Sequence, residues 1–181
     1  MMLAVSVIIL LVVSALAVIA VGPAFWGSPW HPLSRKSIDK ILEFSELKEG
    51  EIFYELGSGD GRVSLSAARD YGARSTGFEI DPFKVWISRW LARRGKASDR
   101  VRFIRKNIFE SDCSSADVVY LYLTHQAMDK LLPNLTKQLK PSARIVSYRF
   151  CFRGLSPDKV NAEGNLFLYR MGKGATVNAY S

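Results

Sequence analysis

The chain has 181 residues, with 25 Lys and Arg against 17 Asp and Glu, a formal net charge of +8 at pH 7. That length fits one domain of ordinary size plus a short appendage, and the composition excludes a disordered or repeat protein. Cys113 and Cys151 are too few for a disulfide framework or a zinc site and match no metal spacing, so they read as packing residues in a reducing compartment.

Residues 1–34 carry no charged side chain, and the run from Leu3 to Val21 is broken only by two serines. Nineteen residues at helical rise span roughly 28 Å, close to the hydrocarbon core of a bilayer. Gly22-Pro23 ends the run, and Trp26 and Trp30 follow where an interfacial aromatic belt would lie. The reading is a retained transmembrane anchor over residues 1–24. A cleaved signal peptide is the alternative, given the Ala15-Leu16-Ala17 box, but no basic residue precedes the run. Arg35, Lys36 and Lys40 follow it, so the positive-inside tendency predicts a single-pass membrane protein with its globular part in the cytoplasm, or in the matrix of a mitochondrion.

Residues 25–50 read as a linker and helix. Pro29 and Pro32 stiffen the first part, Ser34 is an N-cap, and Ile38, Ile41, Leu42 and Phe44 mark one helix face. Trp30 and Pro32 are either part of a hinge or a lid over a ligand. Residues 51–181 then alternate strand-like and helix-like segments, the pattern of a parallel sheet with crossover helices. A short strand over Glu51–Tyr54 leads into Glu55-Leu56-Gly57-Ser58-Gly59-Asp60-Gly61, and a helix begins at Arg62. A second strand ends in Glu79, and Asp81-Pro82 opens a helix ended by Gly95. Val101–Ile104 is a third strand with a loop at Asn107-Ile108-Phe109 behind it, and Ala116–Leu123 is a fourth. A helix over His125–Leu139 buries Met128, Leu131, Leu132 and Leu135, and a fifth strand covers Ala143–Phe150. Asn165–Arg170 and Thr176–Tyr180 are expected to pair as a closing hairpin.

Strand, glycine loop and helix present a nucleotide-like ligand at the carboxyl edge of such a sheet. A dinucleotide fold wants Gly where Arg62 stands, and the Gly-Lys-Ser/Thr ending of a phosphate loop is absent. What remains is Glu-x-Gly-x-Gly-x-Gly, followed by an acid, Glu79, at the end of the next strand. This pattern resembles the first motifs of the seven-stranded, S-adenosylmethionine-dependent methyltransferases. The resemblance implies a Rossmann-like α/β fold with a mostly parallel seven-stranded sheet and an antiparallel terminal hairpin, here preceded by one transmembrane helix. It implies S-adenosylmethionine as cofactor. Gly57, Ser58, Gly59, Asp60 and Gly61 would pass under its methionine and ribose, Glu55 would face its amino group, and Glu79 would hold the ribose diol. Ile80, Asn107, Ile108 and Tyr122 complete the expected cofactor set, with Trp30 and Pro32 as its lid.

Tyr54–Arg62, Gly77–Asp81, Leu139-Lys140-Pro141 and Val146–Gly154 narrow the resemblance to the archaeal broad-specificity protein lysine methyltransferases. They also resemble the membrane-anchored enzymes that methylate a lysine of the ATP-synthase c subunit. The match runs from about Trp30 to Met171. The fourth-strand segment Leu121-Tyr122-Leu123-Thr124-His125 lacks the paired prolines that clamp a planar NH2 group. No carboxylate set for Mg²⁺ is evident, so metal-free, in-line transfer to a neutral lysine amine is favoured, with Tyr122 and Thr124 accepting the amine's hydrogen bonds. His125 reads as a surface histidine. The expected partner is a lysine-bearing protein, and the expected membrane contact is made by residues 3–21. A membrane-associated small-molecule or lipid methyltransferase, an RNA methyltransferase and a non-catalytic cofactor-binding membrane adaptor are the alternatives. Nine basic residues between Lys84 and Lys106 face a single acid there, Asp99. They form a solvated helix face or a surface for anionic lipid or nucleic acid. No aromatic interleaving is read there, so nucleic acid is the less favoured partner.

Overall fold

A computed structural model of the chain describes residues 6, 7, 9, 10, 13, 14, 33–95 and 99–172. The chain divides into two units, Met1–Pro32 and Leu33–Ser181. In the first, Ser6, Val7, Ile9, Leu10, Val13 and Ser14 are helical and exposed. The single-pass membrane localisation, and the transmembrane helix in the expected fold, are corrected: among the described residues no helix is long and apolar enough to cross a membrane. An apolar run of sufficient length does not by itself establish a continuous spanning helix. The rest of the 3–21 run, Trp30 and Pro32 lie outside the described residues.

The second unit opens with α1 (Arg35–Phe44), whose N-cap Ser34 accepts from the Ser37 amide at 3.2 Å. It continues through β1 (Ile52–Leu56), α2 (Arg62–Tyr71), β2 (Arg74–Glu79), α3 (Pro82–Arg94), β3 (Val101–Arg105), β4 (Val118–Leu121), α4 (His125–Gln138), β5 (Arg144–Tyr148), β6 (Lys159–Val160) and β7 (Leu166–Arg170). The seven strands lie in the order β3-β2-β1-β4-β5-β7-β6. The first five are parallel, β7 runs antiparallel to β5, and β6 antiparallel to β7. Strand order therefore reverses between β1 and β4, where a doubly wound sheet opens a crevice at its carboxyl edge.

Because successive side chains on a strand face opposite ways, β4 serves both layers. Val118 and Tyr120 pack with Ile38, Ile41 and Leu42 of α1 on one side, and Val119 and Leu121 pack with Met128, Leu131 and Leu135 of α4 on the other. Buried Arg144 ties α1 to the sheet, donating to the Ser45 and Glu46 carbonyls at 2.7 Å each and to Glu51 at 2.6 Å. Phe103 of β3 packs with Val85 and Ala92 of α3.

Three local expectations change. The fourth strand is shorter than Ala116–Leu123, running Val118–Leu121. Asp117 before it still bonds both neighbouring strands, its amide donating to the Ile52 carbonyl and its carbonyl accepting from the Arg144 amide, while its carboxylate accepts from the Ile52 amide. The loop at Asn107–Phe109 is a 3₁₀ turn, Ile108–Glu110, whose N-cap is Asn107. The antiparallel ending exists, but β7 takes its hairpin partner from upstream, Lys159–Val160. Residues 176–180 lie outside the described residues.

Candidate functional site

The glycine loop joins β1 to α2 at the point where strand order reverses. Four of its five amides are already engaged. Gly57 and Ser58 both donate to the Phe78 carbonyl, at 2.8 and 2.9 Å, Gly61 donates to the Ser58 carbonyl at 2.8 Å, and Gly59 donates to Glu79 at 2.9 Å. A phosphate-binding loop needs such amides free to point at the anion. Acids surround this one instead: Glu55, Asp60, Glu79 and Asp81. A ligand with hydroxyls and positive charge fits these walls, and a phosphate does not.

The glycines differ in their surroundings. Gly57 has φ 83°, is exposed, and would put a Cβ 3.1 Å from the Leu123 side chain. Gly61, with φ 78°, is buried, and a Cβ there would fall 2.4 Å from the Phe103 ring. Gly61 is thus needed for packing α2 against β3 rather than for ligand contact.

Glu55 is buried, and one of its oxygens accepts from the amide and the hydroxyl of Ser64, at 2.9 and 2.6 Å. Burial pushes its carboxyl up to about 8, against the pull of those Ser64 bonds. A cation placed beside it would favour the ionised form. Glu79 closes β2 and accepts three amides, from Gly59 (2.9 Å), Ile80 (2.8 Å) and Asp81 (3.0 Å). Its carboxylate therefore shapes the loop before any ligand arrives. Asp60 is held by Arg62, which also donates to the Leu33 carbonyl at 2.9 Å. Asp81 caps α3 ahead of Pro82. The Ser58 hydroxyl is buried in the loop without a partner, a polar atom placed for a ligand to satisfy.

Of the remaining expected residues, Ile80 is half-buried at the loop's edge. Asn107 spends its side-chain oxygen on the Phe109 amide at 3.2 Å, and half-buried Ile108 packs on the core beside α4. Tyr122 lies one residue past β4 and meets Tyr148, the last residue of β5, edge to face with ring centroids 5.1 Å apart. Thr124 is the N-cap of α4, is exposed, and makes no capping bond with its side chain. The two expected acceptor residues therefore differ, Tyr122 in an aromatic wall and Thr124 at the open rim. His125 is not a free surface group: its Nδ1 lies 3.0 Å from the Cys151 carbonyl and its ring packs on Phe150. Among the described residues no cluster of His, Cys, Asp or Glu could hold a metal ion.

Sequence reading missed Leu123, Tyr148 and Arg149 as site residues. Arg149 has φ 67°, a left-handed conformation unusual for a residue with a side chain. Its guanidinium lies 5.9 Å from the Tyr122 ring and 5.7 Å from the Tyr148 ring. The sequence signal for Tyr148 and Arg149 was the segment Val146–Gly154, and Leu123 lay in the fourth-strand segment Leu121–His125. In the basic stretch, Arg89 is structural, donating to the Phe103 carbonyl at 2.7 and 2.9 Å. Trp86 and Trp90 are exposed there, with Arg94 4.7 Å over the Trp90 ring, so the stretch does carry interleaved aromatics.

The family model for the ANTKMT methyltransferase domain matches residues 55–159, which contain the glycine loop, Glu79 and the aromatic wall. A protein-lysine N-methyltransferase of Saccharolobus islandicus is 32% identical over 152 residues, covering 80% of this chain and 94% of that one. The human lysine N-methyltransferase of the ATP-synthase c subunit is 31% identical over 136 residues, 75% of this chain; the chain spans 58% of that relative's own length. The crystal structure of an RNA methyltransferase from Salinibacter ruber in complex with S-adenosyl-L-homocysteine superposes with a TM-score of 0.75 at 38% identity. That alignment covers 79% of this chain and 95% of that one. An acid-walled loop with four of its amides spent, at the reversal point of this sheet, suits a sulfonium nucleoside with no phosphate. The chain belongs to the ANTKMT methyltransferase domain family, and it is an S-adenosylmethionine-dependent methyltransferase.

Proposed function

We propose that the chain is a protein-lysine N-methyltransferase acting by direct transfer to a neutral lysine amine. The observation that carries this reading is the acceptor edge of the sheet. There Tyr122 and Tyr148 form an aromatic wall beside the exposed hydroxyl of Thr124, where enzymes acting on planar amides hold a paired-proline clamp. The relatives named as protein-lysine N-methyltransferases support it, since the archaeal one aligns over 94% of its length.

When bound, S-adenosylmethionine supplies a methyl group already activated on a sulfonium. The protein must then hold, align and exclude water. Glu79 and the loop from Gly57 would hold the cofactor, with Gly61 keeping that loop packed on β3. Glu55 would stand by its amino group, and Ile80, Asn107 and Ile108 would border it. Tyr122 and Thr124 accept hydrogen bonds from the incoming amine. Deprotonating a lysine of ordinary pKa at pH 7 costs roughly 4–5 kcal/mol. Aromatic burial and the nearby Arg149 charge both lower that cost.

A second reading has its own support. The Salinibacter ruber structure is named an RNA methyltransferase, and the Arg94–Trp90 pair lies on a basic, aromatic-bearing surface. One experiment separates the two. Incubation of the full chain with radiolabelled S-adenosylmethionine and whole-cell extract should place label on protein, and mass spectrometry should find one to three methyl groups on lysine. The rate should climb as pH rises from about 7 toward 9, following the lysine. Label confined to RNA would replace this reading with the second, and label confined to lipid or small molecules would remove both.

A further inference from the structure

Beside the aromatic wall, on the α1 face of the sheet, lies a cavity of about 260 Å³. Its lining includes Lys36, Ser37 and Lys40 of α1, Tyr148 at the end of β5, and Glu163 and Asn165 of the turn before β7. Tyr148 is a shared wall: one side lines the cavity, and its ring meets Tyr122 at 5.1 Å. Arg149 is tied to the same place, its amide donating to the Asn165 carbonyl at 2.7 Å while its guanidinium lies over both tyrosines. That bond holds Arg149 in its left-handed backbone, a strained arrangement of the kind that collects at functional sites.

The charges do not balance. Lys40 pairs with Glu163. Lys36 makes no salt bridge among the described residues and feels Glu163 only at longer range, while Arg149, also without a salt bridge, is not part of the lining but lies over the Tyr148 ring that forms one wall. The volume accommodates a short acidic side chain together with several waters. Glu163 in the wall would repel a continuous phosphodiester track, while a polypeptide carries its charges singly and tolerates one acid beside the two lysines.

We propose that this cavity is a substrate-reading subsite that takes an Asp or Glu side chain of the acceptor polypeptide, near the lysine being methylated. The inference rests on the protein-lysine reading above. Lys36 and Arg149 attract the carboxylate, Ser37 and Asn165 offer it hydrogen bonds, and the neighbouring lysine is steered past Tyr148 to Tyr122. The same excess of positive charge disfavours lysines flanked by further basic residues.

The test is an array of lysine-centred peptides in which Asp, Ala or Lys is scanned through the flanking positions. It is methylated by the full chain and by Lys36→Glu, Arg149→Glu and the milder Lys36→Gln. The wild type should prefer Asp over Lys at one flanking position by roughly tenfold in kcat/KM, the discrimination of about 1.4 kcal/mol. Either Glu variant should invert that order, and Lys36→Gln should reduce it. Calorimetry with S-adenosyl-L-homocysteine checks that each variant is folded. A preference that is absent in the wild type, or unchanged in folded variants, overturns the subsite while leaving lysine methylation intact. Methylation of RNA with no peptide labelled overturns both.

Discussion

The two sides of the carboxyl edge are made differently. On the cofactor side, β1, β2 and the glycine loop spend their polar groups on one another: four loop amides go to Phe78, Ser58 and Glu79, and Glu79 takes two more from its own successors. On the acceptor side, Tyr122, Tyr148 and Arg149 meet through ring contacts, and Thr124 caps α4 without a side-chain bond. The first side is set before a ligand binds, as a chemically invariant cofactor allows. The second holds donors, acceptors and charge in reserve for a polypeptide that brings its own.

The deepest test of that contrast is Glu55, the buried acid under the loop. Its carboxyl is raised to about 8 from an ordinary 4.5, mainly by burial. The folded form therefore holds a proton that the unfolded chain has lost, so stability is fully present below about pH 4.5 and is lost as pH rises through 8. The loss approaches about 5 kcal/mol. Thermal unfolding of the wild type without cofactor should show the melting temperature falling across that window, and Glu55→Gln should flatten the fall. Equal slopes in the two proteins would mean that Glu55 is ionised in the fold, and the cofactor side would lose its buried neutral acid. Below this window, Asp117 works in the opposite sense. Against partial burial, which raises its carboxyl, bonds from Ile52 and Lys140 hold it below the usual range, so its contribution disappears as pH falls.

Smaller, but still large, is the effect at Gly61. Alanine there combines left-handed strain of about 1–2 kcal/mol with overpacking against Phe103 of about 1–3 kcal/mol. A loss of about 3 kcal/mol in urea unfolding is expected from the two together. Gly57→Ala should cost only the strain, about 1–2 kcal/mol, yet weaken cofactor binding in the folded protein. If the two variants lost equal stability, Gly61 would not carry the packing role described.

Glu79→Ala should lower stability by about 1–3 kcal/mol, since three amides lose their acceptor, and should have a clear effect on binding. Removing a charged acceptor from the cofactor's hydroxyls, and from the loop amides it organises, should weaken S-adenosylmethionine binding by at least about tenfold. Titration calorimetry on the folded variant measures this. Unchanged affinity would take Glu79 out of the site and leave it as a loop brace alone.

Much of the cofactor side was legible because its determinants are local. Three glycines between a strand and a helix, an acid before them and an acid ending the next strand all fall within 25 residues, Glu55 to Glu79. Strand and helix periodicity located β1 to β5 and α1 to α4 within a few residues. The ligand class came from what the pattern lacked at Arg62. The acceptor side could not be read the same way. Tyr122 and Tyr148 are 26 positions apart, and only the parallel pairing of β4 with β5 puts their rings in contact. Nothing local announces the backbone of Arg149, which is held by Asn165 across the β5–β7 ladder.

By itself the sequence determined the α/β order, the glycine loop and its acids, and the absence of a phosphate-loop ending, since each depends on residues adjacent along the chain. Only the tertiary structure decided three further matters. It gave Gly61 a packing role that Gly57 lacks, because Phe103 reaches Gly61 from β3. It paired β7 with Lys159–Val160, an exposed two-residue strand too short to announce itself in the sequence. And it joined Lys36, Tyr148, Glu163 and Asn165 around one cavity, because α1, β5 and the turn before β7 converge only after the sheet has closed over the α1 face.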